Sequence, residues 1–362
     1  MTSAYSPFSP GRPVDPEYFV GRTREIEHLL QRVEESFHRR RIQVVFLYGE
    51  RGIGKSSLSG YLAALAEEKH QAIAVQTNLG RVKSLDETVR LVFERLINRK
   101  EFNNWLRTLK GGLRNAVEEI DLFGLKVSFK PPAGAVRQLV EHFPYQLKEA
   151  FGKAAGGHRG VLLILDDING LAANEEFANW LKGVVDDVSV NRIDLPACIL
   201  LVGYDERRQQ LIRLQPSLAR VLDAVEMKTW SDEEARDFFA GAFRSVDREI
   251  EEPALGAVVR ASGGFPVLAH EIGEAVFYAG DAPTIELRQA LDGVYNAAEV
   301  VGKKIRRYEH HAVGKKCGLS DDPEADFRLG SREVRRSPAS RARVAPPGGA
   351  EKSRRQLPQT HA

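Results

Sequence analysis

Apolar positions along this chain alternate between two periods. From Thr23 to Ser36, Ile26, Leu29, Leu30 and Val33 fall at helical spacing and predict a first helix. Ile42 to Tyr48 is instead a short continuous apolar run with β-branched residues, which predicts a buried strand. A Gly-rich turn and helix formers through Glu68 follow it, and then a second strand, Ala72 to Thr77. Ser84 with Glu87 three residues on predicts a capping box opening a helix to about Asn98.

The alternation then breaks. Glu101 to Lys130 predicts an insertion, helical to about Ile120 and then a short strand or hairpin over Leu125 to Phe129. Beyond it the spacing predicts a helix Ala135–Phe151, a strand Val161–Leu165, a helix Glu175–Val188, a strand Ala197–Val202 and a last core strand Ala224–Lys228. Strands alternating with helices imply a parallel sheet covered on both faces. Ser231 with Glu234 makes a second capping box, and the chain from there to about Val301 reads as helices only.

The first two strands frame the strongest chemical signal. Gly49-Glu50-Arg51-Gly52-Ile53-Gly54-Lys55-Ser56 matches G-x-x-x-x-G-K-[ST] between a strand and a helix. Glycines let the backbone wrap closely round phosphates, so that successive N–H groups and the positive end of the following helix face the anion. Lys55 supplies a point charge to the β- and γ-phosphates, and the Ser56 hydroxyl is a ligand for Mg²⁺. Gly49, Gly52, Gly54, Lys55, Ser56 and Ser57 are thus the predicted phosphate-binding residues for ATP. The strand Val161–Leu165 ends in Asp166 and Asp167. Asp166 is the predicted Mg²⁺ ligand, direct or through water, and Asp167 the residue that orients or deprotonates an attacking water. An Asp there is one methylene shorter than a Glu and must sit closer to that water.

Composition narrows the setting. With 43% hydrophobic and 28% charged residues in 362, the chain reads as globular, long enough for a core and a smaller attached domain. No apolar run is long enough to cross a bilayer, and Met1 to Pro16 is polar and Pro-rich, so a cytoplasmic protein without membrane contact is expected. Two cysteines, Cys198 and Cys317, fit a reducing compartment. The net charge of +2 conceals an asymmetry: residues 302–362 hold 15 Lys and Arg against 7 Asp and Glu, which leaves the rest near −6. That Arg-, Ser-, Pro- and Gly-rich tail reads as disordered, with DNA or an acidic protein as candidate partners. Trp105, Trp180 and Trp230 read as core anchors.

Further residues carry a family resemblance. Phe19-Val20-Gly21-Arg22-Thr23-Arg24-Glu25 resembles the amino-terminal box of the AAA+ and STAND-type ATPases, including the initiator-like and archaeal-type groups. Pro216-Ser217-Leu218-Ala219-Arg220 resembles their arginine-finger segment, and Gly263-Gly264-Phe265-Pro266 the G-x-P motif of the STAND lid. The resemblance covers about Phe19 to Tyr278. It implies that Val20 and Gly21 lie beside the adenine, that Arg220 acts catalytically on a neighbouring subunit of a homo-oligomer, and that Pro266 contacts nucleotide from the lid. Two departures stand out: Val202 to Asp205 offers no Asn or Thr sensor, and Ala261 to His270 has no sensor Arg.

The expected fold is therefore α/β, a P-loop NTPase three-layer parallel sheet. Residues 1–18 form a flexible lead, 19–228 the core, 229–301 a helical lid and 302–362 a disordered basic tail. The expected function is a Mg²⁺-dependent ATPase or ATP switch coupled to a protein or DNA partner. A non-hydrolysing nucleotide-dependent scaffold or DNA-binding module is the rival. A small-molecule kinase fits less well, for want of an acceptor-binding motif.

Overall fold

A computed structural model describes residues 5–14, 19–102, 117–118, 128–154, 156–300 and 302. The basic tail from residue 303 onward, most of the insertion, Trp105 and Cys317 lie outside the described residues.

Period-2 alternation in the strands builds the layers. In β1 (Gln43–Gly49), Val44 and Phe46 join one hydrophobic cluster while Val45 and Leu47 join another. The same division runs through β5 (Gly160–Asp166) and β6 (Ala197–Gly203), so each strand buries both faces. With β2 (Ala72–Asn78) and β7 (Leu222–Met227) they form one parallel sheet in the order β2-β5-β6-β1-β7. One face is covered by α1 (Thr23–Arg39) and α2 (Lys55–His70). The other carries α3 (Leu85–Ile97), α4 (Ala133–Glu141), α5 (Phe143–Gly152) and α6 (Glu175–Val190). The three-layer P-loop NTPase fold expected from the pattern is what the chain adopts.

Local chemistry shifts some boundaries. The helix expected over Ala135–Phe151 is two helices, because Pro144 at the start of α5 lacks the N–H and would clash inside a continuous helix; the break falls at His142. Ser84 caps α3 by accepting from the Glu87 N–H at 3.3 Å. Within the insertion, β4 (Ser128–Phe129) falls where a short strand or hairpin was expected, but it pairs antiparallel with β3 (Val117–Glu118), which lies in the stretch expected to be helical.

After α7 (Asp205–Leu214), a 3-10 turn (Pro216–Arg220) and β7, a third apolar cluster forms. Its helices are α8 (Asp232–Arg244), α9 (Glu252–Ser262), α10 (Pro266–Tyr278) and α11 (residues 287–300). Ser231 and Glu234 complete the expected capping box. The region is not purely helical, since β8 (Glu249–Ile250) pairs with β9 (Thr284–Ile285).

The lead departs from expectation. Its sequence lacks periodicity, yet Phe8 is buried in the third cluster, 4% exposed, against Phe238, Phe239 and Phe243. A single aromatic ring filling a distant socket outweighs the polarity of its neighbours.

Candidate nucleotide-binding site

In a parallel sheet the crevice outside the carboxyl ends of the strands is the natural ligand site. Here the turn after β1 (Arg51 to Gly54), Asn78 of β2, Asp166 of β5, Tyr204 after β6 and Met227 of β7 all gather at that edge, around a cavity of about 610 Å³.

The loop's shape follows from its glycines. Gly52 and Gly54 hold φ of 81° and 96°, left-handed values that a side chain would strain. Gly52 has a second reason, because a Cβ there would come within 2.5 Å of Val267 Cγ1. Gly54 then serves as the N-cap of α2, whose first residues are Lys55, Ser56 and Ser57. All of these except Gly49 line the cavity; Gly49 packs against the Met227 carbonyl, which an added Cβ would approach to 2.6 Å.

Charge converges at the mouth of the loop. The Lys55 ammonium donates to the carbonyls of Gly49 and Glu50, each at 2.8 Å, and lies 4.8 Å from the centre of the Tyr204 ring. Burial lowers its pKa, and the negative charges of Asp166 and Asp167 oppose that shift. Asp166 is 4% exposed, and burial raises its carboxyl above the ordinary range against hydrogen bonds from Ser56 and Gln76. A hydroxyl and a carboxylate already in contact are a hard-oxygen pair, the donor type that Mg²⁺ prefers, so the residues present fit that ion.

Asp167 adopts left-handed φ 58°, ψ 56°. Its carboxylate accepts from Asn169 Nδ2 and packs closely on Gly80. A side-chain residue in that conformation is uncommon and tends to occur at functional sites.

The remaining sequence-predicted residues divide. Val20, 40% exposed, and Pro266 line the cavity. Gly21 does not; it faces Glu234 and Trp230. Arg220 is exposed and outside the cavity. Pro266 opens α10, whose Val267 N–H donates to the Gly52 carbonyl at 3.2 Å and ties the helical cluster to the phosphate loop.

Sequence reasoning missed several residues here. Arg22 is 3% exposed, with its guanidinium donating to the carbonyls of Lys228 and Ile53 and its backbone N–H donating to Glu234. Trp230, expected as a core anchor, lines the cavity, and its indole N–H is buried without a partner. Asn78, Asn169, Tyr204 and His270 also line it. The positions of Asn78 and Tyr204, at the carboxyl ends of core strands, could have signalled their place.

Residues 18–195 match the family described as AAA ATPase domain. No curated protein matches the sequence. Among solved structures, the chain resembles the Walker-type ATPase Paby2304 of Pyrococcus abyssi at a TM-score of 0.57 and 15% identity, over 84% of this chain and 79% of that one. It also resembles the ORC2 protein of Aeropyrum pernix, solved as ADPNP and ADP complexes, at 0.52 and 14%, over 78% and 70%. At such identities the likeness speaks for the fold. Strand order and phosphate loop agree on a P-loop NTPase fold, in which residues 18–195 are similar to an AAA ATPase domain.

Proposed function

We propose that this chain binds ATP with Mg²⁺ at the β1–α2 loop and hydrolyses it, the nucleotide state setting the position of the helical unit, residues 229–301, against the core, residues 19–228. The observation that carries the reading is the convergence of Lys55, Ser56, Asp166 and Asp167 in one cavity at the carboxyl edge of the sheet.

In this reading the loop N–H groups and the Lys55 ammonium hold the β- and γ-phosphates, while Val20 and Pro266 flank the base and the lid side. Gly21 acts one step back, by shaping the contact with Trp230. Ser56 and Asp166 would hold Mg²⁺, which supplies positive charge to the phosphate oxygens. Asp167 accepts a proton from a water whose oxygen bonds to the γ-phosphorus as the bond to the β–γ bridging oxygen breaks. Arg220, being exposed, meets only the nucleotide of another subunit. A macromolecular partner and a cytoplasmic setting complete the proposal.

One observation favours a slow or silent site. Asp167 is short and already accepts from Asn169, so a non-hydrolysing switch that recruits protein or DNA is the second reading.

Phosphate release by the purified chain, with and without DNA, tests both. The expected outcome is Mg²⁺-dependent release that Asp167→Asn stops while ATP affinity is retained, and no binding at all in Lys55→Ala. Affinity within twofold of the parent in Lys55→Ala would overturn the site.

A further inference from the structure

The lead crosses the candidate nucleotide cavity between two anchors. At one end the Phe8 ring sits 5.0 Å from Phe243 and 5.7 Å from Phe238, centre to centre. Gly273 of α10 makes the socket, since a Cβ there would come within 2.3 Å of the Phe8 ring. The next residue, Ser9, donates its N–H to His270 Nδ1 at 3.1 Å, from the same helix. At the other end the Val14 N–H donates to Ser57 Oγ at 3.1 Å, in the first turn of α2. Between them Gly11, Arg12 and Pro13 line the cavity. Pro7, Pro10 and Pro13 each fix a backbone angle, which lowers the entropy lost when so short a segment docks.

We propose that residues 5–14 are a strap that fastens the helical unit to the phosphate-loop helix across the bound nucleotide, with Phe8 as its positioning residue. The inference rests on the nucleotide reading above. Phe8 touches no ligand; it acts through Ser9 to Val14, which form one wall of the cavity. With the strap seated, nucleotide leaves only when the Phe8 anchor or the Val14 anchor releases. The hold is therefore expected in the dissociation rate more than in the association rate.

Two variants separate this role from simple folding. Phe8→Ala empties the socket. Gly273→Ala evicts the ring by filling it, yet places a better helix former in α10. The probe is ATP carrying a fluorescent ribose label, with Mg²⁺, chased by unlabelled ATP in a stopped-flow instrument. Both variants are expected to release the probe about tenfold faster than the parent and to exchange the Ser9 and Val14 amide hydrogens faster, with Gly273→Ala keeping the parent's thermal midpoint within a few degrees. Release within twofold of the parent in both variants, from a parent that binds, would overturn the strap. A parent that fails to bind the probe would remove the nucleotide reading and the strap with it.

Discussion

The Lys55 ammonium rests 4.8 Å from the centre of the Tyr204 ring while donating to the Gly49 and Glu50 carbonyls at 2.8 Å. Two carbonyls and an aromatic face thus hold the cation at the loop, with no counter-ion in direct contact among the described residues. Burial already disfavours the charged form, so the ring's negative face is a compensating contact.

Removal of that face gives the first prediction. Tyr204→Leu is expected to weaken ATP affinity about fivefold, the equivalent of ~1 kcal/mol for a partly buried cation on an aromatic ring. Tyr204→Phe keeps the face and loses only the hydroxyl, so its affinity is expected to match the parent's. Titration calorimetry on the three proteins checks this; equal losses in both variants would assign the effect to the hydroxyl.

Arg22 gives the second. Its side chain is 3% exposed, and its guanidinium bonds the Lys228 and Ile53 carbonyls and lies 3.5 Å from Glu25. Arg22→Met keeps most of the stem but strands those acceptors, an expected cost of roughly 3 kcal/mol. Arg24→Met, two residues away and exposed, is the control and is expected to be near neutral. Denaturant midpoints of the two variants should separate accordingly; coincident midpoints would show that water replaces the lost contacts.

What could be read from the sequence follows from where the information lies. The central strands β1, β5 and β6 were legible because each buries both faces and so needs an unbroken apolar run, and the phosphate loop because its spacing is nearly unique to that chemistry. Asp166 and Asp167 were legible as the polar end of such a run. Phe8 was not: its partners Phe238 and Phe243 lie some 230 residues away, and nothing in a Pro-rich lead signals them. Arg22 was legible only as a member of the amino-terminal box, with no role of its own, because its acceptors are backbone carbonyls, which carry no sequence signature. Trp230 was read as core by residue type, although its ring borders the cavity.

Arg220 gives the third prediction. It closes the 3-10 turn before β7, exposed and outside the cavity of its own chain. A guanidinium set against the developing γ-phosphate charge contributes on the order of 10³-fold to rate, whereas a surface ion pair contributes at most about 1 kcal/mol to stability. In an oligomer, Arg220→Ala and Lys55→Ala are each expected to be inactive alone, yet to regain turnover when mixed, because a mixed interface joins an intact loop to an intact Arg220. No recovery in a preparation shown by sedimentation to be oligomeric would leave Arg220 a surface residue.

The last prediction concerns acid. His270 is 7% exposed, and burial pushes its pKa down to about 4 from an ordinary 6.5. Phe8 and Phe238, the rings packed on it, bring no charge to offset that burial. Its Nδ1 accepts from the Ser9 N–H, which requires the neutral ring. The sign follows: below pH 6.5 the unfolded chain takes up a proton that the folded chain refuses until about pH 4, so stability falls as pH falls through that window. At about 1.4 kcal/mol per unit, this group alone removes roughly 2 kcal/mol between pH 7 and pH 5. His270→Gln keeps a side-chain acceptor for Ser9 without a titrating ring, and its stability is expected to vary less with pH by that amount. Urea unfolding of parent and variant at pH 7, 6 and 5 measures the difference. Parallel pH profiles would show that the ring is protonated in the folded state, with the Ser9 contact already lost.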